Sequence, residues 1–236
     1  MALDADELAE KLVKTLDMKD KDGDPVGPQK TAKALAKGIV TALKAAKTMN
    51  PFVLGSGIPV NAPAPNAGSF VGGTAMNGKI LAFLPAPIVS EVSAVATEGV
   101  APQYQAPMKA LVLKQATAIT TYVMASGLVN FSSVEGNCTA LMPIPPTFPG
   151  APGALVAGRA KGGKLMGLVG PAMTMQVAQA MGRIPPAPDM FKFYAALVEY
   201  LLEKVEIEYM VGTVIGSFSI GGGPLAGGMA TGGLIK

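Results

Sequence analysis

The sequence predicts an α+β fold of three tandem, divergent helix–helix–β modules, pseudo-threefold in arrangement and joined by Pro/Gly-rich extended loops. Three observations predict it. A glycine pattern recurs as "GSFVGGTAMNGKI" (68–80), "GALVAGRAKGGKL" (153–165) and "GPLAGGMATGGLI" (223–235), each reading G-x-Φ-x-x-G-x-A-x-x-G-x-Φ with Φ a large apolar residue. Each copy closes a block with one order of parts: short helix, Pro-containing linker, longer helix, apolar strand-like run, Pro/Gly-rich loop, glycine ribbon. The short helices are expected to start near residues 4, 87 and 171, and the long ones near 28, 107 and 188. The expected modules are therefore 1–83, 84–167 and 168–236. A unit of roughly 80 residues barely buries a core alone, whereas three linked copies can share one.

In the first module Asp4 is placed to cap a helix, with Glu7 three residues on as in a capping box. Leu8, Leu12, Val13 and Leu16 then share one face. The linker "MKDKDGDPVG" breaks that helix. Pro28 is placed to open the long helix, which runs to about Lys47, and "NPFVLGSGIPV" reads as turn and strand. In the second module "PAPIVSEVSAVATEG" supplies the short helix, with Gly99 as its stop. Pro107 is expected to open the long helix through Leu111, Val112, Ile119 and Val123, followed by "LVNFSSVEG" and the loop "MPIPPTFPGAPG". The third module has "PAMTMQVAQAMG", the linker "RIPPAP", a long helix from about Asp189 to Glu206, and the strand "YMVGTVIGSFSI".

Half of the 236 residues are apolar and only 15% are charged, against about a quarter in a typical soluble domain. So few charges suggest a surface largely covered by partners, protein or lipid. The absence of histidine removes the usual general base and the commonest metal ligand. The single cysteine, Cys138, excludes an internal disulfide and a cysteine-based metal cage. The opening "MALDADELAEKL" is acidic and amphipathic, unlike a secretory signal. A net charge of +3 does not argue for nucleic acid, and no aromatic residues interleave the lysines for base stacking.

The glycines that carry the pattern are Gly68, Gly73 and Gly78, then Gly153, Gly158 and Gly163, then Gly223, Gly228 and Gly233. A phosphate loop needs a glycine-rich turn leading directly into a helix. Here Pro85 and the Gly170–Pro171 pair interrupt before the next helix, and neither Gly78–Lys79 nor Gly163–Lys164 is followed by Ser or Thr. No cofactor is expected. Residues 115–134 and 209–235 are charge-free and of membrane-spanning length, but they are rich in glycine or hydroxyl residues, so insertion is the weaker expectation. Glycine at every fifth position lets two backbones approach closely and tolerates bulges. The ribbons are therefore expected to form an interface, augmenting a sheet within the chain or on a neighbouring subunit.

The first long helix has three sides: Leu35, Ile39 and Leu43; a stripe of Lys30, Lys33, Lys37, Lys44 and Lys47; and the small residues Ala34, Gly38 and Ala42, suited to close helix contact and expected to bury against a neighbouring subunit. The last long helix is expected to be acidic toward its end, with Glu199, Glu203, Glu206 and Glu208; this and the lysine stripe read first as solvated faces, with pairing of the two between subunits as the alternative. Asp20, Asp22 and Asp24 only partly match a calcium loop, since Pro25 and Thr31 fall where Gly and Glu belong, and read as a solvated acidic loop. No serine has a histidine to activate it, so no catalytic residues are expected.

Over residues 28–81, "TAKALAKGIVTALKAA" leading into "GSGIPVNAPAPNAGSFVGGTAMNGKI" resembles small structural proteins of tailed bacteriophages. In these an Ala/Lys-rich helix leads into a Gly-Ile-Pro-Val segment and a strand ending in Gly-Lys-Ile. The resemblance implies a multi-copy virion component of the tail, baseplate or neck. It would be assembled in the host cytoplasm with other structural proteins of the particle as partners. The third module lacks the Gly-Lys pair, which sets its role apart from the other two.

Overall fold

The computed structural model describes residues 3–16, 27–50, 52–59, 67–140, 151–220 and 226–236. Its class is α+β: six helices and an antiparallel barrel among those residues. Two compact units alternate along the chain. Met1–Ala46, Ala82–Gly127 and Gly167–Val205 form a helical unit; Lys47–Leu81, Leu128–Met166 and Glu206–Lys236 form a β unit. The expected divisions at 83/84 and 167/168 thus do not bound compact domains. Each stretch gives its helices to one unit and its strands to the other, because so short a piece has too little apolar surface for a private core.

The helical unit holds α1 (Ala5–Lys14), α2 (Gly27–Ala45), α3 (Ala86–Ala96), α4 (Pro102–Ser126), α5 (Gly170–Ala180) and α6 (Pro188–Lys204). Asp4 caps α1 as expected, its carboxylate accepting from the Asp6 and Glu7 amides at 2.8 and 3.4 Å. Leu8 and Leu12 of α1, and Leu35, Ile39 and Leu43 of α2, are buried. Pro107 does not open the second long helix: α4 starts at Pro102, and Pro107 lies inside it. The amide that Pro107 lacks would have bonded the carbonyl of Gln103, a residue exposed to water, so the helix tolerates the loss. The last long helix stops at Lys204, so Glu206 and Glu208 sit in a strand and not on an acidic helix end.

Two tyrosines fasten the ends of long helices to the starts of short ones. The Tyr122 hydroxyl accepts from the Val169 N–H at 2.9 Å and donates to the Val169 carbonyl at 3.0 Å. The Tyr200 hydroxyl does the same with Asp4, at 2.9 and 2.6 Å. Val169 and Asp4 are the N-caps of α5 and α1. The corresponding N-cap of α3 is Pro85, which has no N–H to donate.

The β unit comprises β1 (Lys47–Asn50), β2 (Phe52–Pro59), β3 (Ala67–Leu81), β4 (Leu128–Ala140), β5 (Ala151–Met166), β6 (Glu206–Ile220) and β7 (Ala226–Ile235). The strands pair antiparallel in the order β1-β7-β6-β5-β4-β3-β2, and β1 also pairs with β3, which closes the ring. With β1 and β2 separated only by residue 51, the barrel is six-stranded. The charge-free stretch 115–134 is shared between α4 and β4, and 209–235 is occupied by β6 and β7, with 221–225 outside the described residues. No described helix is long and apolar enough to cross a membrane.

Candidate functional site

The glycine ribbons are strands of the barrel. Gly68, Gly73 and Gly78 lie in β3, Gly153, Gly158 and Gly163 in β5, and Gly228 and Gly233 in β7; Gly223 falls outside the described residues. Ribbon pairs with the next strand in a recurring register. Gly78, Gly163 and Gly233 stand opposite Val129, Ile207 and Thr48, and Ala75, Ala160 and Ala230 opposite Phe131, Tyr209 and Asn50. Asn77, Gly162 and Gly232, each directly before the third glycine of its ribbon, take φ of 57°, 67° and 73°. At these left-handed positions the ribbon bulges and the register shifts.

The third glycines are sites of close approach, to side chains where the pattern predicts a second backbone. A Cβ on Gly78 would lie 2.1 Å from Asn50 Oδ1, one on Gly163 2.4 Å from the Phe131 ring, and one on Gly233 2.1 Å from Thr48 Oγ1 and 2.7 Å from the Tyr209 ring. The approaching groups are side chains of this barrel, not of a neighbouring subunit. β3 and β5 are paired on both sides, and β7 is paired with β6 and, over Ala230–Leu234, with β1, so along those described stretches the expected augmentation of a neighbour's sheet has no free edge.

Inside the barrel the bulky groups admitted by those glycines meet. The Phe131 and Tyr209 rings are tilted, with centroids 5.1 Å apart. The Tyr209 hydroxyl donates to Asn50 Oδ1 at 2.9 Å, and Asn50 Nδ2 donates to the Val129 carbonyl at 2.9 Å. Burial pushes the Tyr209 phenol up to about 12, offset in part by the adjacent Thr48 hydroxyl. Thr48 Oγ1 itself is buried and reaches no partner at hydrogen-bond geometry. Sequence reasoning missed this layer. Its signal was present: "KTMN", "LVNF" and "EIEY" open β1, β4 and β6, and the second and fourth residues of each turn inward.

The small-residue side of α2 is also spent within the chain. Ala34, Gly38 and Ala42 are buried, and a Cβ on Gly38 would lie 2.6 Å from the Ile88 Cα of α3. That side was expected to meet a partner; α3 covers it instead, its backbone seated where a larger residue would block the crossing. The lysine stripe is exposed, with Lys37 bridged to Glu91 at 3.1 Å. Glu199, Glu203 and Glu208, for which pairing with another subunit was the alternative, have partners within the chain. Lys11 lies 3.1 and 3.7 Å from Glu199 and Glu203, Lys204 lies 2.7 Å from Glu7, and Glu208 is bonded to Lys236. That bond to Lys236 holds the Glu208 carboxyl below its ordinary value. Asp20, Asp22 and Asp24 lie outside the described residues, and no described group of acidic or thiol side chains is arranged to hold a metal.

The chain matches no protein-family model, no curated protein and no solved structure. What its geometry offers is a closed, side-chain-locked framework.

Proposed function

We propose that this protein is a structural subunit of a large assembly, a virion component of a tailed phage, in which three tandem modules are arranged with pseudo-threefold symmetry. The symmetry reading is supported by the recurring register above and by helix–helix–strand–strand order in all three stretches. It is supported again by Tyr122 and Tyr200, which join successive stretches in the same manner and in cyclic order. By these fastenings the second module leans on the third and the third on the first, and the pairing of β3 with β4 joins the first to the second.

The single observation that carries the assembly reading is apolar surface on a barrel without free edges in its closed girdle. Met210 and Val211 of β6 and Met229 of the neighbouring β7 are 52, 62 and 38% exposed. Such surface is retained where a partner covers it. Subunits then join by packing side chains on that outer face, since the ribbons are already paired. The resemblance over residues 28–81 points to the tail, baseplate or neck as the location, and the partners are other proteins of the same particle.

Mass spectrometry of purified particles tests the reading directly. The chain should be present in fixed stoichiometry, and Val211→Glu should lower its incorporation at least several-fold while leaving the thermal melt unchanged. A chain absent from particles, or one recovered instead with the membranes after lysis, would refute it.

A further inference from the structure

The helical unit contains two adjoining cavities of about 590 and 540 Å³, within the range of small-molecule sites. They share walls: Thr31, Met108, Gln115, Met181 and Arg183 line both. The interior is apolar and adaptable, with Leu111 added on one side and Met190 and Phe193 on the other. Unbranched methionines reshape around flexible hydrocarbon at little cost.

Three polar features stand in that wall. Tyr194, 2% exposed, accepts from Gln115 Nε2 at 2.8 Å, and its own O–H has no acceptor among the described residues. Burial pushes its phenol up to about 12, so it is a neutral donor at physiological pH. Arg183, exposed at the mouth of both cavities, partly offsets that rise, and its guanidinium has no ion-pair partner among the described residues. Lys30 adds a second cation at one margin. Glu98 and Asp189 line opposite margins, Asp189 lying 4.0 Å from Lys192. Cations beside a neutral donor select one anionic group, and the flanking carboxylates repel a second.

We propose that this cleft binds a monocarboxylate with an apolar tail: the carboxylate between Arg183 and the Tyr194 hydroxyl, the tail along Met108, Met181 and Met190. The cleft is separate from the barrel face invoked above, so neither reading depends on the other.

Methyl-labelled methionine NMR on the full chain, titrated with decanoate, tests it. Resonances of Met108, Met181 and Met190, assigned by single Met→Leu substitutions, should shift in a saturable way. Arg183→Gln should weaken binding roughly tenfold, the scale of one charge-assisted bond, and Tyr194→Phe severalfold. Decan-1-ol, of the same length without the charge, should bind at least about tenfold more weakly. The free acid and the amide of acetylated Leu-Met-Leu distinguish the source of the carboxylate. Tighter decanoate assigns a fatty acid, tighter tripeptide acid a polypeptide terminus. No shift at millimolar decanoate overturns the proposal. So does equal binding of decan-1-ol, or of decanoate by an Arg183→Gln variant that melts like the parent.

Discussion

The phenols of Tyr194 and Tyr209, both pushed up to about 12 chiefly by burial, make the fold sensitive to alkali. A folded-state value above the ordinary 10.0 leaves stability intact below that pH. Above it the unfolded chain releases its protons first, and stability falls as pH rises toward 12. Ultraviolet titration should show these phenolates appearing together with loss of circular dichroism, and Tyr209→Phe should move that midpoint. Ionisation of both at the ordinary value, with the fold intact, would contradict their burial. Glycine substitutions act at the same scale. Gly38→Ala or Gly163→Ala forces a methyl to 2.6 Å from the Ile88 Cα or 2.4 Å from the Phe131 ring. Each should cost about 2 kcal/mol and lower the melting temperature by roughly 4–8 °C. Gly163→Ala combined with Phe131→Leu should recover part of the loss, whereas Gly38→Ala has backbone as its obstacle and no comparable rescue.

Among the elements, the helices were the most legible, because caps and apolar spacing are local. Asp4 signals α1, and Leu35, Ile39 and Leu43 signal the buried side of α2. The start of α4 was missed because Pro102 and Pro107 are equally good openers locally, and only the helix around them decides. The tyrosine fastenings were illegible for a different reason: Tyr200 and Asp4 lie 196 residues apart. Tyr122→Phe and Tyr200→Phe each leave a backbone N–H and carbonyl without this partner, and each should cost about 1–2 kcal/mol in chemical denaturation. Hydrogen exchange should quicken at the start of α5 in the first variant and of α1 in the second. Exchange quickening everywhere alike would show that the hydroxyls fasten nothing in particular.

For the molecule as a whole, the glycine pattern announced three ribbons and the tightness of their third glycines, but not what they are tight against. Gly233 meets Thr48 and Tyr209 from strands far away in sequence, and no local pattern records such a pairing. The same ignorance produced the expectation that Ala34, Gly38 and Ala42 face another subunit. A small-residue stripe specifies a close neighbour without saying whose it is. Closure of the barrel between β1 and β7 then sets a deadline in time. During synthesis β1 precedes its partner β7 by five other described strands, so the side of β1 that β7 covers must wait with its backbone groups uncommitted. A chain stopped at Ile220 should carry two raw borders, on β1 and β6, and should aggregate in light scattering well beyond any association of the full chain. The order in which the strands leave the ribosome thus sets how long an open border stays uncovered.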